Sequence, residues 1–180
     1  TRGDAGAPVA LRANGAALAR INVSYAILPE ATFERLFQMR KRSVPAGPNP
    51  YGRTLQLAAE VGHDRAVSVV EQVPAAACLG HFETHPALPV AALMGQLTYL
   101  AGLLAPQPFR VRRGLVRAQD LAWAGERVRF EARRETSDAP DRWLFECTAT
   151  AGREGTEGRV VGGMTLWLEP ELDGNVRVLS

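Results

Sequence analysis

Gly80-His81-Phe82 opens a turn that contains Pro86 and Pro89 and runs straight into the uncharged stretch Val90–Leu104. Imidazole is the side chain whose ordinary pKa lets it accept and return protons near neutrality. At the start of an apolar helix it would sit beside backbone N–H donors and the positive end of the helix dipole. That combination suits chemistry next to the carbonyl of a long acyl chain, with the donors stabilising negative charge on the oxygen. His81 is the candidate base and the Val90 N–H the candidate carbonyl polariser. The alternative for His81 is a structural ring that holds the turn through a backbone carbonyl. Gln96 and Tyr99, three apart in the same helix, have polar atoms that need partners in an apolar setting. They either bond the fold internally or line a pocket.

Other reactive side chains carry plainer expectations. His85 reads as a stabiliser of the turn, and His63, beside Asp64, as a surface residue between two strands. Cys78 reads as a small buried apolar residue rather than a thiol nucleophile. His81 and His85 lack obvious companions for a metal, so no metal is expected. Trp123, Trp143 and Trp167 read as packing residues. Arg40-Lys41-Arg42 reads as a solvated helix end. Arg110, Arg112 and Arg113, just beyond the apolar helix, read either as a solvated strand end or as contacts for a phosphate or an acidic carrier.

The elements that must position these residues follow from periodicity. Residues 1–16 lack a strong period and read as a loose arm, whereas Ala17–Leu28 alternates as a strand. Pro29-Glu30 opens a short amphipathic helix bearing Phe33, Leu36, Phe37 and Met39 at helical spacing. Ser43–Tyr51 is a linker with three prolines. Thr54–Val61 and Ala66–Val73 form a hairpin about Gly62-His63-Asp64. After Pro108, four alternating segments (Phe109–Trp123, Arg127–Glu135, Trp143–Thr150 and Val160–Leu168) form antiparallel strands. Val90–Leu104 is apolar nearly all round, and a helix without a polar face must be covered. A single helix wrapped by a curved antiparallel sheet, an α+β arrangement, satisfies this. The domain reading is an extension over 1–50 and one domain over 51–180.

Composition narrows the function classes. The chain has 180 residues, 22% charged and 46% hydrophobic, with a net charge of +2, the profile of a globular protein with a full core. Lys41 is the sole lysine, and the arginines are scattered, so nucleic acid is not indicated. Two cysteines are too few for a disulfide framework, and no leader is evident, so a cytoplasmic setting is expected. The first residue is not Met, so the chain is expected to be trimmed, tagged or excised from a larger protein. The uncharged segment from Pro86 to Phe109 leaves about 16 residues of helix, near 24 Å, short of a bilayer core of about 30 Å. No membrane partner is expected.

The turn and the element order together resemble the hotdog fold of acyl-thioester enzymes, and most closely the 3-hydroxyacyl-carrier-protein dehydratases of the FabA/FabZ type. Gly80-His81-Phe82, a proline five residues after the histidine (Pro86) and another three later (Pro89) fit that signature, and the likeness covers roughly Tyr51–Leu168. It implies a single hotdog domain with its tunnel between protomers, hence a homodimer or a partner hotdog domain. It also implies a substrate on phosphopantetheine, delivered by acyl carrier protein or coenzyme A, with no separate cofactor. Phe82, Pro89, Val90, Gly95, Arg110 and Arg112 would then contact substrate, and His81, Gln96 and Tyr99 would act on it. The sequence departs from that family where its carboxylic acid belongs: the position is Gly95, and no Asp or Glu occurs between Thr84 and Gln119. Gly95-Gln96-Leu97-Thr98-Tyr99 is instead similar to the helix of FcoT-type hotdog thioesterases, apart from Gly for Asn. The leading expectation is a dehydratase-like enzyme of fatty-acid or polyketide assembly lacking the usual acid; the runner-up is a thioester hydrolase, and the third reading is a non-catalytic hotdog that binds an acyl carrier or an active partner.

Overall fold

The computed structural model describes residues 2–13, 16–26, 28–42, 57–78, 84–137, 141–152 and 158–171. The chain divides into two compact units, Thr1–Met39 and Arg40–Ser180. In the first, strand β1 (Arg2–Ala13) pairs antiparallel with β2 (Ala16–Ala26), from Arg2 opposite Ala26 to Ala13 opposite Ala16. A strand thus replaces the loose arm expected over residues 1–16, pairing with β2 on both sides of an irregularity between Ala5 and Val9. The short helix falls where expected, as α1 (Glu30–Phe37), with the Phe33 and Phe37 rings 4.8 Å apart. None of its residues is buried, and Leu36 and Met39 are largely exposed.

The second unit holds β3 (Ala59–Val61), β4 (Arg65–Val70), α2 (Val90–Leu103), β5 (Phe109–Ala118), β6 (Arg127–Glu135), β7 (Trp143–Gly152) and β8 (Arg159–Pro170). The strands form one antiparallel sheet in the order β3-β4-β6-β7-β8-β5. Alternation decides the faces: Phe130 and Ala132 of β6, and Phe145 and Cys147 of β7, are buried, while Arg133 and Glu146 point outward. Helix α2 lays Leu93, Leu97 and Leu100 into the same core as Phe130, Phe145 and Leu168. One helix packed on this six-stranded sheet is the α+β hotdog fold expected from the sequence. The linker Ser43–Tyr51 lies outside the described residues, as do residues 54–56 of the first expected hairpin strand.

Several boundaries differ from expectation: β4 ends at Val70 rather than Val73, and β8 runs to Pro170 rather than Leu168. The strand starting at Phe109 ends at Ala118 rather than Trp123. Gln119 and Asp120 both donate their N–H to the Val161 carbonyl, and the Asp120 carboxylate accepts the Leu121 N–H at 2.7 Å, which turns the chain out of the ladder. The helix is also not wrapped all round by its own chain. Ala91, Gly95, Tyr99 and Leu103, spaced four apart, are exposed, Tyr99 at 51%.

Candidate functional site

Pro89 sets the start of α2, at φ −58° and ψ 140°, and no side chain caps the helix. Its carbonyl accepts the N–H groups of Ala92 (2.9 Å) and Leu93 (3.1 Å). The N–H groups of Val90 and Ala91 therefore have no acceptor among the described residues, and they point out of the positive end of the helix. Val90 is half-buried and Ala91 exposed. Two adjacent donors of this kind can bind a carbonyl oxygen and hold the charge that develops on it.

The segment before Pro89 is fixed like a strand although it belongs to none. Leu88 N–H donates to the Ala122 carbonyl at 2.7 Å, Ala124 N–H to the Pro86 carbonyl at 2.9 Å, and Ala87 bridges to Trp123. His85 through Pro89 are buried. His85 Nδ1 lies 2.9 Å from Thr84 Oγ1, and the Thr84 carbonyl accepts the Arg42 N–H at 2.9 Å. This seat agrees with a turn-stabilising role for His85. His81, Phe82 and Gly80 lie outside the described residues; Thr84, three positions after His81, is where description of the turn resumes.

An ionic cluster holds the partner of that segment. Glu126 is nearly buried, at 6% exposure. Its carboxylate accepts the Trp123 N–H (3.1 Å), both terminal nitrogens of Arg159 (2.8 and 3.1 Å) and Arg40 Nη1 (2.9 Å). Arg159 also donates to Asp120 at 2.8 Å and to the Leu121 carbonyl. Arg40 stacks over Trp123, 5.7 Å from its ring centre. Gly125 completes the turn at φ 85°, a left-handed conformation that favours glycine. The basic run at 40–42, expected to be merely solvated, is thus partly used: Arg40 joins the cluster and the Arg42 backbone anchors Thr84.

The remaining candidates spread out. Gln96 is buried and its amide donates to Ser68 Oγ of β4 at 3.0 Å, so it ties helix to sheet. Tyr99 lies on the exposed stripe with Gly95, and a Cβ at Gly95 would meet nothing within 4 Å. Three apart, the two are neighbours on the helix surface, with Gln96 turned into the core and Tyr99 half-exposed at its margin. Arg110 and Arg112 lie towards the other end of α2 from Val90, because Phe109 packs on Gly102 while Ala118 pairs with Gly162 under Met94. Arg110 pairs with Glu169 at 2.6 Å and Arg112 lies 4.0 Å from it. Burial pushes the Cys78 and Cys147 thiols up to about 12, with the Glu146 charge adding to the effect at Cys147. Neither is a thiolate nucleophile near neutrality. No group of three or more His, Cys, Asp and Glu suited to a metal occurs among the described residues. Among the same residues, no helix is long and apolar enough to cross a membrane. Sequence reading missed Glu126 and Arg159, which stand 33 residues apart and read locally as ordinary polar strand ends.

Helix and sheet order define a hotdog domain, and the start of its helix carries no side-chain cap. No protein-family model matches the sequence, and no curated protein matches it. Solved structures do match. A thioesterase family protein from Silicibacter pomeroyi is 20% identical, with 67% of this chain and 88% of that chain covered at a TM-score of 0.54. The Escherichia coli PaaI protein from the phenylacetic acid degradation operon is 9% identical, with 69% and 86% covered at 0.55. The protein smu.793 from Streptococcus mutans, bound to acetyl CoA, is 11% identical, with 65% and 90% covered at 0.53. At these identities the likeness carries the fold.

Proposed function

We propose that this chain is an acyl-thioester hydrolase that takes coenzyme A thioesters. The observation that carries the reading is a pair of N–H donors at Val90 and Ala91, without an acceptor among the described residues, at the start of a helix that has no carboxylate. Dehydration of a 3-hydroxyacyl thioester requires an acid for the departing hydroxyl. The carboxylates on the neighbouring loop, Asp120 and Glu126, are both bound by Arg159. Hydrolysis asks nothing of the β-carbon. It needs a polarised carbonyl and a base that activates water. The likeness to a thioesterase family protein and to a protein bound to acetyl CoA favours the same reading.

In this scheme the donors hold the thioester oxygen, and His81 takes a proton as water adds to the carbonyl carbon. Collapse of the adduct breaks the C–S bond, and the departing thiolate recovers that proton from His81. Gln96 acts by tying α2 to β4 rather than by touching substrate. The test is incubation with acyl, 3-hydroxyacyl and enoyl coenzyme A thioesters, followed by mass spectrometry and free-thiol assay. Release of coenzyme A that falls about 10²-fold or more in His81→Ala is expected. Loss or gain of water without thiol release would replace this reading with the dehydratase one, and binding without turnover would make the protein a carrier-binding domain.

A further inference from the structure

Arg42 stands beside the turn that leads to α2. Its backbone N–H donates to the Thr84 carbonyl at 2.9 Å, and its guanidinium lies over Gly125, where a Cβ would stand 3.2 Å from Nη1. The surface beneath it is fixed, because Gly125 N–H donates to the Val73 carbonyl and Val73 N–H to the Glu126 carbonyl, both at 2.8 Å. Three arginines and two carboxylates meet around this turn. Arg40 and Arg159 bind Glu126, and Arg159 also binds Asp120, so both acids are engaged. Arg42 is exposed, and its guanidinium has no acceptor among the described residues. A guanidinium held in place with its donors open matches a phosphate, whose oxygens it can bind through two parallel hydrogen bonds. Arg110 and Arg112 offer no such site, since both face Glu169.

Distance along the chain says which phosphate this is. Ala124, next to Gly125, donates its N–H to the carbonyl of Pro86, four residues before Val90. Four residues span at most about 14 Å, at about 3.6 Å each. A pantetheine arm has about 14 bonds from the thioester carbon to phosphorus and, at an advance of about 1.2 Å per bond, extends to about 17 Å. With the carbonyl at the Val90 donors, the arm is long enough to bring its phosphate to Arg42. We propose that Arg42 binds the phosphate that ends the pantetheine arm of the substrate. Coenzyme A and the phosphopantetheine of a carrier protein share that phosphate. The place of the thioester carbonyl rests on the hydrolase reading, whereas the anion site rests on the surroundings of Arg42 alone.

The experiment compares the full native chain with R42M and R42K, both of which keep the backbone N–H to Thr84. Each is given the same acyl group on pantetheine, on 4′-phosphopantetheine and on coenzyme A. On the two phosphorylated thioesters R42M should raise KM about ten-fold with little change in kcat, the mark of lost uniform binding. On the phosphate-free thioester R42M and the native chain should agree within about two-fold. R42K, which keeps the charge but not the fork, should fall between them. Titration calorimetry with free phosphopantetheine and free pantetheine reads the same contrast without turnover. A chain that hydrolyses nothing would therefore sink the hydrolase reading while still testing the arginine: phosphopantetheine should bind about ten-fold more weakly to R42M than to the native chain. An equal loss with and without the phosphate would make Arg42 a structural residue and overturn the proposal. Unchanged KM and affinity for the phosphorylated ligands would overturn it too, as would a loss confined to coenzyme A, which would assign Arg42 to the nucleotide instead.

Discussion

Glu126→Gln keeps the shape of the side chain while removing its charge and turning one acceptor into a donor. The carboxylate accepts from Trp123 N–H, Arg159 and Arg40, at 2.8–3.1 Å. An amide there must set its NH₂ against one of these donors. Hydrogen bonds to a charged group contribute about 1.5–3 kcal/mol each. The arginines are 33% and 39% exposed, so solvent screening brings their share towards the lower end of that range. The net expected loss is about 2–3 kcal/mol, roughly 4–12 °C in Tm for a domain of this size. Urea unfolding followed by tryptophan fluorescence reads it well, because Trp123, Trp143 and Trp167 all lie in the second unit. A cycle with Arg159→Met should show a coupling of about 0.5–3 kcal/mol. The same variant should slow thioester turnover, since the loop that seats residues 86–88 would lose its hold. A loss below about 0.5 kcal/mol with no coupling would place Glu126 among ordinary surface residues and refute the argument.

Cys78 and Cys147, buried and pushed up to about 12, should resist a thiol reagent at pH 8 in the native protein and react fully in denaturant; rapid native labelling would contradict their burial. Burial alone would raise the Glu131 pKa, but hydrogen bonds from Arg65, Arg133 and Arg129 and the Arg65 charge outweigh it and hold it at about 2. Its folded pKa is below the unfolded one, so its stabilisation is present above about pH 4.5 and fades as pH falls towards 2. With its arginines partly exposed, Glu131→Gln should cost about 1 kcal/mol at pH 7 and progressively less as pH falls from about 4.5 towards 2, measured by urea midpoints. Gly95→Ala should stabilise by about 0.5–1 kcal/mol through helix propensity, because its Cβ enters open space; a lower midpoint would show the stripe to be covered.

Much of the second unit was legible because its signals are local. The Val90–Leu104 apolar run and its bounding prolines gave α2 to within a residue, and alternation placed Arg127–Glu135 without error. The Trp123 end of the expected strand failed because Asp120 satisfies its neighbour's N–H locally, an alternative that alternation does not weigh. β1 was missed although Asn14-Gly15, a strong hairpin dipeptide, stands between the two paired segments. At the site, Gln96 carried two readings, and only the position of Ser68 on a strand 28 residues away decides between them. The Glu126–Arg159 pair was invisible for the same reason: a chain with 21 basic and 19 acidic residues offers too many possible pairings for composition to choose one.

Leu88 and Ala124 send their amide hydrogens across the seam that joins two loops, and both residues are buried. Amides so placed exchange with solvent only when the surrounding core opens, so the seam belongs with the slowest-exchanging positions although it lies in no regular strand. Peeling this wall away to admit a bulky guest would cost much of the global unfolding free energy. The other flank of α2 bears no such weld: Ala91, Gly95, Tyr99 and Leu103 face outward. Among the described residues, the exposed stripe is the yielding side of α2, and bulk added at Gly95 would fill it without disturbing the wall behind.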